Sequence, residues 1–270
     1  MLFCAVNGQQ QDVIKVSDRG LAFGDGLFTT AKIVDGKIQL LRYHLDRLIS
    51  GCQQLHIKGV NFNTLAESVC QQAKQYPLAT LKIIITAGES ERGYARDDSA
   101  KPTVIVTISE FPKQYINSDN LALSVGIATA QLGINPTLAG IKHLNRLEQV
   151  LVKKEAQSSA FDDLLVTNIS GHIIETTMAN VFFKRKDKVV TPKLNQSGVN
   201  GLVRQRLLAL NENIEEVELT LEDIQTIEGA MVCNCLLGIV PIKQLNDKIL
   251  DTSWVVPLQQ ELEKDIVLHD

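Results

Sequence analysis

The chain has 270 residues, with 27 Lys and Arg against 31 Asp and Glu and a formal net charge of -4. It is 44% apolar, 21% charged and 5% aromatic, enough to bury a full core and to divide into two lobes. The mild acidity excludes the basic stripe of a nucleic-acid binder. No run approaches the roughly 18 apolar residues of a membrane span, and Met1–Asn7 lacks the basic and long apolar regions of a secretory signal. The expectation is a cytoplasmic protein that meets neither membrane nor nucleic acid.

Taken in chain order, Leu2–Gly8 and Gln11–Val16 read as two short strands around a polar turn. Leu27–Val34 and Lys37–Leu41 flank Asp35-Gly36, a two-residue hairpin signal. Leu41, His44, Leu45, Leu48, Ile49, Cys52 and Leu55 then recur at three- and four-residue steps, which predicts an amphipathic helix. Phe62–Gln75 repeats that period until Tyr76-Pro77 stops it. Thr80–Ala87 and Pro102–Ser109 are strands around a charged loop. Glu110–Asn120 is polar and aperiodic, so a linker at 110–120 is expected to separate an N-terminal lobe, 1–115, from a C-terminal lobe, 121–270.

The second half opens with a strand at Leu121–Ile127, followed by a helix expected from Lys142 to Ser158 with Leu144, Leu147, Val150, Leu151 and Ala156 on its apolar side. Asp163–Asn168, Ile173–Glu175, Ala179–Lys184 and Lys188–Thr191 form a meander, turning at Ser170-Gly171 and Lys186-Asp187. Gly201–Asn211, Leu221–Glu228 and Trp254–Lys264 are further helices; Glu215–Leu219, Ala230–Cys235 and Leu237–Gln244 are further strands. There is no sustained βαβ alternation, so the class is α+β.

Several stretches invite chemistry. Ser17-Asp18-Arg19-Gly20 and Phe23-Gly24-Asp25-Gly26-Leu27-Phe28 imply a tight connection, but a strand follows the glycines, which excludes a dinucleotide fingerprint. Gly198-Val199-Asn200-Gly201 precedes a helix whose first N–H groups suit a phosphate. Arg47, in His44-Leu45-Asp46-Arg47-Leu48, is a candidate anion clamp. Lys142 follows an apolar stretch and, if desolvated, would favour the neutral amine of Schiff-base chemistry. Glu175 is a carboxylate at a strand end near Asn180. The histidines show no metal-ligand spacing, so no metal is expected, and neither a nucleophile elbow nor a phosphate-loop motif is present. The five cysteines are odd in number and scattered, and Cys233-x-Cys235 is too tight for a zinc pair, so buried thiols are expected.

Together, Ser17–Phe28, His44–Leu48, Lys142–Leu151, Glu175–Phe182, Gly198–Arg204 and Cys233–Pro241 resemble, in order and spacing, the fold type IV pyridoxal-phosphate enzymes, over essentially the whole chain. That family holds branched-chain aminotransferases, D-amino acid aminotransferases and aminodeoxychorismate lyases. Phe23–Ala31 and Leu138–Leu151 are most similar to the lyase branch. The resemblance implies a two-lobed fold with pyridoxal 5'-phosphate bound covalently to Lys142 in the C-terminal lobe. Glu175 would pair with the ring nitrogen, and Arg47 would hold the phosphate together with the backbone at Leu202, Val203, Asn234 and Cys235. Phe28, Thr30 and Arg96 would face the substrate.

The implied reaction is conversion of aminodeoxychorismate to 4-aminobenzoate and pyruvate, a step toward folate, in a homodimer. Departures from the aminotransferase branches point the same way. Cys235 replaces a threonine, no tyrosine lies in Leu144–Leu147, the Arg92–Arg96 loop has no histidine, and Phe28-Thr29 replaces Tyr-Glu. A D-amino acid or branched-chain aminotransferase is the alternative within the family, and a cofactor-free binding protein the alternative outside it.

Overall fold

The computed structural model describes residues 1–91, 93–97, 99–116 and 121–269. Arg92 and positions 117–120 of the expected linker lie outside the described residues. The chain divides into two compact units. The first comprises Met1–Ile116, Lys142–Asn145 and Ile266–Asp270; the second comprises Asn117–Ile141 and Arg146–Asp265.

In the first unit the described strands β1 (Phe3–Val6), β2 (Gln9–Gln10), β3 (Gly26–Val34), β4 (Lys37–Ile38), β5 (Leu78–Thr86) and β6 (Thr103–Glu110) form an antiparallel sheet in the order β2-β1-β6-β5-β3-β4. Period-2 alternation decides its two faces. Leu27, Thr29, Ala31 and Ile33 are buried along β3, while Phe28, Thr30 and Lys32 between them are half-buried. Asp35 and Gly36, with φ of 48° and 79°, supply the two left-handed positions of the hairpin turn between β3 and β4.

Helices α2 (Leu41–Gln54) and α3 (Phe62–Ala73) contribute Leu48, Cys52, Leu65 and Val69 to the core formed with Leu81, Ile83 and Ile85. The side chain of Asn61 caps α3, accepting from Thr64 N–H at 3.0 Å. Two expectations fail in this unit. Gln11–Val16 is not a strand: its residues are mostly exposed and join no strand of the described sheets. The Ser17–Phe28 connection contains a short helix, α1 (Arg19–Phe23), capped by Asp18. At five residues it is too short to show a period.

In the second unit the described strands are β7 (Leu123–Ile127), β8 (Asp163–Thr167), β9 (Ile173–Thr176), β10 (Asn180–Arg185), β11 (Lys188–Pro192), β12 (Ile214–Val217), β13 (Gly229–Asn234), β14 (Gly238–Leu245) and β15 (Lys248–Ile249). They pair in the order β12-β11-β10-β13-β14-β7-β8-β9, with β15 on β14. Near-continuous burial of β8, β9, β10 and β13 makes them a core rather than a half-wet sheet. Helix α4 (Leu147–Gln157) turns Val152 and Ala156 toward Leu132, Leu164, Val166 and Ile174. Helices α5 (Leu202–Leu210) and α6 (Val256–His269) complete the unit, α6 ending among residues of the first.

Three corrections follow. The segment Leu221–Thr226 is a 3-10 helix. The last helix begins at Val256, two residues after Trp254, and runs on to His269. The helix expected from Lys142 begins only at Leu147, because residues 142–144 are extended beside β3. Lys142–Asn145 belongs to the first compact unit. No helix among the described residues is long and apolar enough to cross a membrane.

Candidate active site

In the first unit the backbone at Lys142 is fixed by two hydrogen bonds. Phe28 N–H donates to the Lys142 carbonyl at 2.9 Å, and Leu144 N–H donates to the Gly26 carbonyl at 2.9 Å. Leu27 and His143 are antiparallel bridge partners, so the 142–144 segment extends the sheet past β3. Asn145 anchors the end of the segment, its Nδ2 donating to the Gly24 carbonyl at 3.1 Å. The Lys142 side chain therefore rises on the face that carries Phe28, and Nζ stands 4.6 Å from the centre of that ring. The Gly24-x-Gly26 stretch thus holds the lysine segment through its carbonyls.

Arg47 is half-buried on α2 and belongs to a polar cluster inside the same unit. Its Nη2 donates to Thr29 Oγ1 and lies 3.4 Å from His44 Nδ1. Thr29 and His44 are themselves buried, 0% and 1% exposed, with Oγ1 and Nδ1 2.6 Å apart. Burial, then the charges of Arg47 and Lys142, hold the imidazole well below its ordinary pKa. A neutral ring beside an arginine accepts at Nδ1, so we assign the hydroxyl proton of Thr29 to that bond and the ring proton to Nε2. Nε2 is buried with no hydrogen-bond partner among the described residues.

Arg96 is committed elsewhere. Its guanidinium forms a two-point pair with Asp25 and donates to the Leu55 carbonyl at 2.5 Å. Asp25 is shared with Arg19, whose Nε donates to it at 2.8 Å. The rest of the Arg19 guanidinium ties down Ser90 Oγ and the carbonyls of Gly93, Tyr94 and Ala95. Burial pushes the Asp25 carboxyl up, but the hydrogen bonds from Arg96 and Arg19 outweigh it and leave the pKa lowered. The three residues lock the loop after β5. Thr30 is half-buried and pairs across the sheet with Lys82.

In the second unit Glu175 is 6% exposed, not a solvated turn acid, and its Oε2 accepts from Val199 N–H at 3.0 Å. The turn bearing Val199 lies against it. Gly198 has φ of 84°, and a Cβ there would stand 3.3 Å from Glu175 Oε2 and 2.5 Å from Ile174. Asn180 bridges the same turn, donating to the Val199 carbonyl at 2.8 Å and accepting from Gly201 N–H at 3.0 Å. Leu202 and Val203 open α5, where a helix leaves its N–H groups without an intrahelical acceptor, and no side chain caps it. Asn234 is turned into its own loop: Oδ1 accepts from Leu236 and Leu237 N–H at 2.9 and 2.8 Å, and Nδ2 donates to the Met178 carbonyl at 3.1 Å. Cys235 is half-buried in that loop, and Cys233 is a buried thiol whose pKa burial raises.

Sequence reasoning placed Asn180 near Glu175 without giving it a part in the turn, and gave Thr29 no part in the Arg47 cluster. The position of Thr29 on the buried parity of β3, and a histidine one turn before Arg47 on α2, were the available signals. Among the described residues no three His, Cys, Asp or Glu side chains are grouped to hold a metal. Each unit holds groups whose chemistry suits part of a phosphorylated, aldehyde-bearing pyridine: a lysine on a fixed backbone and an arginine held by a threonine in the first, a buried carboxylate and an uncapped helix start in the second.

The class IV amino-transferase family model matches residues 26–245. The chain is 33% identical to an aminodeoxychorismate lyase of Vibrio harveyi, over 89% of this chain and 90% of that protein. It is 26% identical to a putative branched-chain-amino-acid aminotransferase of Methanocaldococcus jannaschii, over 93% of this chain and 89% of that protein. The crystal structure of 4-amino-4-deoxychorismate lyase from Pseudomonas aeruginosa superimposes with a TM-score of 0.88 at 30% identity, covering 97% of this chain and 99% of that one. These full-length matches carry the fold type IV resemblance, and the chain belongs to the class IV aminotransferase family.

Proposed function

We propose that this protein is a pyridoxal-phosphate-dependent lyase that converts 4-amino-4-deoxychorismate to 4-aminobenzoate and pyruvate. The observation that carries the reading is the near full-length similarity to a lyase in both sequence, at 33% identity, and structure, at a TM-score of 0.88. When bound, the cofactor supplies an aldehyde that captures amines and a ring that accepts electrons.

The roles of the chain's own residues follow from their chemistry. Lys142 would hold the cofactor through its Nζ, and its free amine would act as the base at the substrate carbon that bears the amine. Glu175, fixed by Val199 N–H, is the acceptor for a protonated ring nitrogen. Arg47 and the backbone at Leu202 and Val203 bind phosphate. Transfer of that carbon's proton to Lys142 would let the carbon–oxygen bond to the enolpyruvyl group break, its electron pair leaving on the oxygen and a proton returning to give pyruvate, while aromatisation of the substrate ring drives the step. No amino acceptor is required. Copies of the chain pair, a reading supported by the outward apolar residues Leu147, Val150 and Leu151 of α4.

The test is an absorbance scan of the purified protein, followed by chorismate, glutamine and aminodeoxychorismate synthase with 4-aminobenzoate read out. A yellow protein that makes 4-aminobenzoate, and a Lys142→Ala variant that neither makes it nor shows the covalent cofactor band, are expected. A yellow protein that makes none but transfers amino groups to 2-oxoglutarate would establish the aminotransferase alternative. A protein that never takes up the cofactor would end the site assignment.

A further inference from the structure

Glu175 and Asn180 lie on either side of the tight turn that joins β9 to β10, where Thr176 N–H donates to the Ala179 carbonyl at 2.8 Å. Both side chains leave that turn for one second segment, 198–201. Val199 is held from two directions: its N–H donates to Glu175 Oε2 at 3.0 Å, and its carbonyl accepts from Asn180 Nδ2 at 2.8 Å. Asn180 Oδ1 accepts from the N–H of Gly201, the residue before α5, at 3.0 Å. The segment also pairs with Gly140, whose N–H donates to the Gly198 carbonyl and whose carbonyl accepts from Asn200 N–H, both at 3.0 Å.

Asn180 is 5% exposed, and an amide that deep is sustained when both its ends are satisfied. A primary amide presents a donor and an acceptor side by side, which a carboxylate or an aliphatic side chain of the same size does not. Its two partners also fix which way the amide points. The consequences run to both ends of the segment. With its carbonyl held, Val199 aims its N–H at one oxygen of Glu175, which sets the rotation of that carboxylate. With its N–H held, Gly201 starts α5 at a fixed place, and Leu202 and Val203 direct their N–H groups from there.

We infer that Asn180 is a positioning residue for the cofactor: through the 198–201 segment it holds the Glu175 carboxylate for a ring nitrogen and the opening N–H groups of α5 for a phosphate. The inference rests on the cofactor assignment made under the proposed function and extends it to a residue that acts through backbone. Asn180 takes no part in the bond changes.

The experiment strips the full chain of cofactor and measures by equilibrium dialysis its affinity for pyridoxal phosphate, for pyridoxal, and for the phosphorylated analogue whose ring nitrogen is replaced by C–H. Wild type should prefer pyridoxal phosphate to both others. In Asn180→Ala both preferences should shrink, each by roughly tenfold, about the worth of one charge-assisted hydrogen bond. Gly201→Ala loads the same contact from the other side. The backbone there, with φ of -67° and ψ of 148°, suits any residue, but a Cβ would run into Asn180 Oδ1. It should shrink the same two preferences together.

An equal loss of affinity for all three compounds, as a general loosening of the fold would give, overturns the inference. So does either preference kept at wild-type strength in a folded variant. A measurement on wild type stands apart from the folding of the variants: hydrogen exchange of the amides in 198–203 should slow on loading with pyridoxal phosphate and less so with pyridoxal or the analogue. Exchange that does not respond, or responds equally to all three, overturns the inference too. All of these read binding, so a protein that takes up the cofactor but makes no 4-aminobenzoate still decides the role of Asn180. A wild type that takes up none of the three compounds overturns the cofactor assignment and this inference with it.

Discussion

Helix α2 buries Leu48 and Cys52 at 0% and 3% exposure, whereas helix α4 leaves Leu147, Val150 and Leu151 at 70%, 60% and 55%. Both segments show apolar residues at three- and four-residue steps. In α2 the stripe is the face laid on the sheet of its unit. In α4 the inward positions are Val152 and Ala156, and the larger apolar residues point away from the core. A helical repeat thus establishes that a helix has an apolar face, but the element it meets must come from elsewhere. For α4 the proposed cover is a second copy of the chain, which would remove a contiguous apolar strip from water.

The comparison can be broken, or sharpened, by substitution. The largest effect on unfolding is expected from Leu48→Ala, about 2–5 kcal/mol in a denaturant titration. A cost below 1 kcal/mol would mean that α2 is not the helix that holds its unit. Val152→Ala should cost about 1–2.5 kcal/mol, fewer methyl groups being lost from a core of similar density.

His44, on the buried face of α2, adds a pH term. Its folded pKa is lowered from 6.5, so below pH 6.5 the unfolded chain takes up a proton that the folded chain refuses. Stability should therefore fall as pH drops through that window, by at most about 1.4 kcal/mol per pH unit for this one group. The slope should flatten in His44→Gln; an equal slope in the variant would place the titration elsewhere.

The smallest change in unfolding, below about 0.5 kcal/mol within one chain, is expected from Leu147→Ser and Leu151→Ser together. If α4 meets a second copy, the same pair of changes should halve the mass seen by light scattering. A wild type that is monomeric at every concentration would remove the proposed cover.

What could be read from the residues follows the same division. The hairpin at Asp35-Gly36 was legible because only such residues suit two successive left-handed positions. Helix α2 was legible because its period and its burial agree. Lys142 was placed at a helix start because the period of α4 runs on backward through Leu144; what ends the helix is a long-range pairing with β3, and local pattern does not encode such partners.

Glu175 carried no local sign of burial, since its environment is built from the 198–201 turn more than twenty residues later. Arg96 read as an available cation, and only its approach to Asp25, from a distant stretch, shows it engaged. Family resemblance supplied the roles proposed for Lys142, Glu175 and Arg47; spacing alone did not.

The lysine segment has a consequence for how such a protein can be taken apart or recombined. The chain visits the first unit three times, as Met1–Ile116, Lys142–Asn145 and Ile266–Asp270. No single scission releases that unit whole. A fragment ending at Ile116 would leave the Phe28 amide and the Gly26 carbonyl, which now pair with residues 142–144, as an open sheet edge. A crossover between related genes anywhere in 117–141 would unite a lysine from one parent with the strand that seats it from the other. The lysine proposed to be reactive and its seat are inherited as a matched pair, although more than a hundred residues of chain separate them.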